Sequence, residues 1–92
     1  MPIVEFTSHL HQFFPCLRGG DLSVEAATVA QVVAAVERVA PGFAFYVCDE
    51  AGRVRQHVNM WIDGKPIADR GTLTDAVMPD SRVLILQALS GG

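Results

Sequence analysis

The sequence of 92 residues has two cysteines, one tryptophan and one tyrosine. Cys16 and Cys48 allow at most one disulfide, so no cross-linked framework can stand in for a hydrophobic core. The longest apolar runs are short pieces such as residues 83–86, far below the roughly 18 residues that a membrane-spanning helix needs. The N-terminus has no basic, apolar and small-residue pattern of an export signal, so reduced thiols and a cytoplasmic location are expected. Seven Lys and Arg are scattered among ten Asp and Glu, for a net charge of −3. That balance leaves no basic footprint for nucleic acid or an anionic membrane surface. Repeats and low-complexity segments are missing too.

What is present is apolar. Half of the residues are hydrophobic and 18% are charged, which is too apolar for a disordered chain and suits one packed core. A chain of this length buries only about 60 to 65% of its unfolded surface, so a large enzyme with a lidded cleft is excluded.

Alternation predicts a first strand over Ile3–Phe6, with Val4 and Phe6 on the core side. The Gly19-Gly20-Asp21 turn leads to a second short strand over residues 22–26, making a hairpin. Thr28, with Gln31 three residues on, is a capping-box signature. Val29, Val32, Val33, Val36, Val39 and Ala40 then form one helical face, ended by Pro41-Gly42. Valine is a mediocre helix former, at about 0.5 kcal/mol each, so burial at roughly 1.5 to 3 kcal/mol per side chain must hold this helix. Residues 43–48 are a short apolar run, and residues 49–52 a turn. Val58–Ile62 is the next strand, closed by Asp63-Gly64, a tight-hairpin dipeptide. Lys65-Pro66-Ile67 leads out of it, residues 69–78 form an irregular connection, and residues 83–89 make the last strand. The order is β-β-α-β-β-β, an α+β class with one helix on one face of a mixed sheet. The first and last long strands are expected side by side and parallel, leaving the other sheet face open.

The chain ends in Gly91-Gly92. Two residues without Cβ can thread a narrow channel in another protein, and the reactive group would be the α-carboxylate of Gly92. The stretch from Val58 to Gly64, the turn into residues 83–86 and the terminal Gly91-Gly92 resemble the ThiS/MoaD family of ubiquitin-like sulfur carriers. Gly64-Lys65-Pro66-Ile67 and Gly71-Thr72-Leu73-Thr74-Asp75 are also similar to ubiquitin itself. The resemblance implies a β-grasp fold: one domain over residues 1–89, then a short tail, residues 90–92. It also implies a mechanism, in which an E1-like adenylating enzyme uses ATP to activate the Gly92 carboxylate, with Gly91 as the slender stem. Sulfur from a persulfide displaces AMP, and the thiocarboxylate then serves a sulfur-accepting biosynthetic enzyme such as a synthase large subunit. On this resemblance the chain binds no cofactor and catalyses nothing itself. Pro79-Asp80-Ser81 departs from the acidic run often found before the last strand, and Asp63-Gly64 stands where Asn-Gly is frequent. The branch of the family, molybdopterin-type or other metabolite biosynthesis, is therefore left open.

With Met60 facing the helix, period two puts Trp61 on the open face, together with Leu84 and Leu86. These three, with Leu89 and Ser90 leading into the tail, are the candidate partner-binding residues. The alternative is that the Phe13-Phe14 loop half covers Trp61. His9 and His11, two apart, with Cys16 or His57 as a conceivable third ligand, have a spacing that can hold a metal, but two imidazoles without a clear third and fourth ligand rarely make a site, so solvated polar positions and no metal are expected. Cys48 reads as a core thiol and Cys16 as the more reactive one. Arg53, Arg55 and His57 alternate and are expected to share a strand face. Two other functions fit the same residues: a ubiquitin-like modifier joined to proteins through Gly92, and a β-grasp interaction module with an inert tail.

Overall fold

The computed structural model describes residues 1–7, 10 and 13–87. Its strands are β1 (Ile3–Phe6), β2 (Leu22–Ser23), β3 (Val58–Ile62), β4 (Lys65–Pro66) and β5 (Arg82–Gln87). Two helices, α1 (Val29–Val39) and α2 (Phe43–Val47), and a 3-10 turn at Pro15–Gly19 complete it. The five strands form one mixed sheet in the order β2-β1-β5-β3-β4. β1 and β5 are parallel neighbours, with Val4 opposite Val83 and Phe6 opposite Ile85. β3 runs antiparallel to β5 on its other side, pairing Met60 with Ile85 and Trp61 with Leu84. β5 is thus the central strand, and the expected parallel pair and hairpins are all present.

Alternation decides which side chains meet the helices. Val4, Val58, Met60, Val83 and Ile85 are fully buried beneath α1, whose Val29, Val32, Val33 and Val36 close the other side of the core. Val39, expected in that stripe, is 45% exposed. At 100° per residue it lies about 80° from the line through Val29, whereas Ala40 lies about 20° from it and is buried. The stripe is narrower than a list of valines suggests.

The start of α1 is satisfied almost entirely from outside the helix. Thr28 Oγ1 accepts from the Gln31 amide at 3.3 Å, as in a capping box, while the Gln31 side chain reaches one residue further back than that motif does and accepts from the Ala27 amide at 2.7 Å. The Val29 and Ala30 amides donate to the carbonyls of Asp75 and Leu73. The connection over residues 69–78 is therefore a cap on the helix as well as a link between strands. Asp69 holds that connection in shape. Its carboxylate accepts from the Gly71, Thr72 and Thr74 amides and from both threonine hydroxyls. Those donors, the hydroxyls foremost, hold the Asp69 carboxyl far below the usual carboxylate range.

A lowered native value means that Asp69 stabilises the fold fully above its unfolded value near pH 4, and that this contribution is lost as the pH falls below that. Asp69→Asn is expected to lower Tm at neutral pH and to flatten the decline of Tm between about pH 5 and pH 2. Glu37 and Asp49, also lowered by backbone hydrogen bonds, leave some slope in the variant. Thermal melts across that range check it, and curves that stay parallel would remove Asp69 from this role.

The second helix is a departure from the expected order. Residues 43–47, Phe-Ala-Phe-Tyr-Val, have the aromatic and β-branched character of a strand, yet they are helical. Gly42 takes φ of 98°, which turns the chain, and Glu37 of α1 reaches across to accept from the Gly42 and Ala44 amides at 2.9 and 2.8 Å. Phe43 and Val47, four apart, drop into the core. A further departure is β2, which is two residues long, with Leu22 opposite Val4 and Ser23 opposite Ile3, before the chain leaves for the helix cap. The Asp63-Gly64 turn is as expected: φ is 49° and 84°, the left-handed pair that a two-residue hairpin takes.

Candidate functional site

Gly91, Gly92, Leu89 and Ser90 lie outside the described residues, as do His9 and His11. What the structure does place is the root of the tail and the face beside it. β5 is hydrogen-bonded on both flanks, and Gln87, opposite Val58, still belongs to the ladder with β3. The last glycine lies five positions further on in the sequence.

Trp61, Leu84 and Leu86 all point away from the helices, and all three are half-buried. Trp61 and Leu84 are direct cross-strand partners, and Leu86 lies opposite exposed Asn59. The edge of this patch is polar. Arg82 donates to Glu5 on β1 and to Asp21, each at 3.0 Å, which closes an ion-paired border beside Leu84. An apolar centre inside a polar rim is how a docking surface is composed. The Trp61 indole N–H is buried and has no hydrogen-bond partner among the described residues.

The loop proposed as a cover for Trp61 packs elsewhere. Phe14 meets Phe43 edge-on at 5.6 Å and Tyr46 at 5.4 Å, and Phe13 lies 5.1 Å from Tyr46. Both rings are on the helix-bearing side, because Phe43 belongs to the core under the sheet. Phe14 is thus held by edge-to-face pairing with two rings, and Phe13 by a tilted contact with Tyr46.

Arg53, Arg55 and His57 do not share a strand face, since residues 53–57 form no strand. Asp49 folds this segment into a tight turn by accepting from the Ala51 and Arg53 amides, and it pairs with the Arg53 guanidinium at 3.8 Å. Arg55 lies over the Phe45 ring at 4.9 Å and donates to the Phe45 carbonyl, so it fastens the segment to α2. Only His57 of the three is left without such a tether in what is described. Arg70, which the sequence did not single out, donates to the carbonyls of Arg55 and Val58 and secures the entry to β3.

Among the described residues no group of three or more His, Cys, Asp or Glu is placed to hold a metal. Cys16 is exposed and Cys48 buried, as their contexts suggested. Burial first, and then the neighbouring Asp49 carboxylate, push the Cys48 thiol up from its ordinary value. Native protein at pH 7.5 is therefore expected to lose Cys16 to a thiol alkylator in minutes, while Cys48 reacts only on unfolding. Peptide mapping after a short pulse checks this, and equal labelling of the two would contradict the burial.

Tyr46 and Gln87 were also missed. The Tyr46 hydroxyl donates to Gln87 Oε1 at 2.6 Å, joining residues 41 apart in the sequence. The available signal was a polar residue at position 87, in phase with the inward-facing Val83 and Ile85.

A central parallel β1–β5 pair, flanking hairpins and a helix crossing one face define a β-grasp (ubiquitin-like) fold. No protein-family model and no curated protein matches the sequence. Solved structures do match. A chain of the BexX/CysO complex of Amycolatopsis orientalis superposes with a TM-score of 0.82 at 20% identity, over 100% of both chains. CysO of Mycobacterium tuberculosis gives 0.81 at 22% identity, over 97% of this chain and 100% of that one. Small archaeal modifier protein 1 of Methanosarcina acetivorans gives 0.78 at 16% identity, over 99% and 95%. At these identities the likeness is one of fold.

Proposed function

We propose that this protein is a ubiquitin-like sulfur carrier whose working group is the Gly92 α-carboxylate. The observation that carries the reading is the position of β5. The central strand of the sheet, paired with β1 as far as Ile85 and with β3 as far as Gln87, carries Leu84 opposite Trp61 on an open apolar face, and Gly91-Gly92 follow its last residue within five positions in the sequence. A rigid base, a slender end and a docking surface are what a carrier presents to an enzyme that must receive its terminus. The similarity in fold to a chain of the BexX/CysO complex supports a protein that works by docking.

The chemistry follows from the weakness of a carboxylate as an electrophile. An E1-like partner would join the Gly92 carboxylate to the α-phosphate of ATP, releasing pyrophosphate and giving an acyl adenylate with AMP as its leaving group. The terminal sulfur of a persulfide displaces AMP. A second thiol then cleaves the acyl disulfide, becoming disulfide-bonded itself and leaving a thiocarboxylate on Gly92. A biosynthetic partner, in molybdopterin-type or other metabolite synthesis, takes the sulfur and returns the carboxylate. The carrier holds no cofactor through these steps, and ATP is the partner's substrate.

A second reading rests on the similarity to small archaeal modifier protein 1. The same acyl adenylate could be passed to a lysine amine of another protein, forming an isopeptide bond. Purifying the tagged protein from its host cells under denaturing conditions separates the two. The carrier reading expects free protein with a thiocarboxylate end, and a ladder of larger species with branched Gly-Gly lysines would establish the modifier instead.

A further inference from the structure

Val83, Ile85 and Gln87 project in turn onto the helix-bearing face of β5. The first two are fully buried, and an apolar third residue would extend the core. The protein has glutamine there, held by the Tyr46 hydroxyl at 2.6 Å. Tyr46 is itself fixed from several sides. Its amide donates to Gly42 in the first turn of α2, and its ring is packed by Phe14 and Phe13. Glu37 ties α2 back to α1. A hydrophobic contact at position 87 would hold distance alone, whereas this hydrogen bond also holds direction.

We propose that Tyr46 is a positioning residue for activation of the tail. By holding Gln87 it fixes the last residue of β5, from which the Gly92 carboxylate must be presented to the activating enzyme's ATP. The inference rests on the carrier reading and adds a residue to it. The open sheet face supplies docking affinity, and the latch supplies placement of the reacting atom, where a small displacement costs rate more than binding.

Tyr46→Phe keeps the ring and its aromatic partners and removes only the hydroxyl. With an E1-like enzyme that adenylates the wild type, this variant is expected to lower kcat roughly fivefold while KM for the carrier changes less than twofold. Gln87→Met gives the same loss, the double variant is no worse than either single one, and Gln87→Glu, which keeps an acceptor, retains most of the rate. In the free protein, amide exchange at residues 87 and 88 is expected to rise about tenfold in Tyr46→Phe without change in the core strands. Unchanged kcat and unchanged exchange in Tyr46→Phe would overturn the role of the latch while leaving the carrier reading intact. A change confined to KM would overturn it too, since the latch would then serve docking. Wild-type protein that no such enzyme adenylates would overturn the carrier reading first, and with it the purpose assigned to the latch.

Discussion

Deletion of Gly91 and Gly92 is expected to reduce ATP-dependent charging to the background of the activating enzyme alone, a loss of at least a hundredfold, while Tm stays within a degree of the intact protein. The two halves of this result come from different parts of the molecule. The deletion removes the only carboxylate that the proposed chemistry uses, and replaces it with one on Ser90, whose side chain and shorter reach do not suit a channel built for glycine. Stability stays because the core is complete without these residues: Val4, Val36, Phe43, Met60, Val83 and Ile85 are all buried within the described fold. Pyrophosphate release and a thermal melt of the same preparation measure both. A truncated protein that still supports ATP turnover would move the reactive group elsewhere.

Trp61→Ala is expected to weaken binding to the activating enzyme by about thirtyfold to a hundredfold, the range for an aromatic anchor near the centre of an interface. The side chain is half-buried and stands directly across from Leu84. Losing that cross-strand pair costs on the order of 1 kcal/mol, or roughly 4 to 8 °C in a domain of this size. Affinity therefore falls much further than stability. Titration of the enzyme by calorimetry, beside a melt, gives the two numbers. A collapse of Tm with little change in affinity would assign Trp61 to the fold and leave the open face without its anchor.

Much of this architecture is legible in the residues themselves. Period two in residues 58–62 and 83–87 places Met60, Val83 and Ile85 inward, and Trp61, Leu84 and Leu86 outward, without any tertiary information. Thr28 and Gln31 mark the start of α1 because a capping box is a local device, and Asp63-Gly64 marks its hairpin for the same reason. Where local signals end, the reading falters. Residues 43–47 look like a strand, and become helical because Glu37 and Gly42 impose a turn that their own propensities do not encode. Arg53 and Arg55 alternate as if on a strand, but Asp49 and the Phe45 ring draw them into a loop. The Tyr46–Gln87 bond joins segments with no periodic relation, so nothing short of the folded chain brings the two together.

The most direct test of the carrier chemistry is intact mass spectrometry after incubation with an E1-like enzyme, ATP and a persulfide donor. Exchange of one oxygen for sulfur changes the mass by nearly as much as methionine oxidation, so the product is trapped with a thiol alkylator and located by fragmentation. A Cys16→Ser background keeps the exposed thiol from competing, and Cys48 is shielded by the fold. The predicted result is a label on Gly92 that the Gly91-Gly92 deletion lacks. An unlabelled Gly92 in wild-type protein, with active enzyme and consumed ATP, would contradict sulfur carriage by this tail.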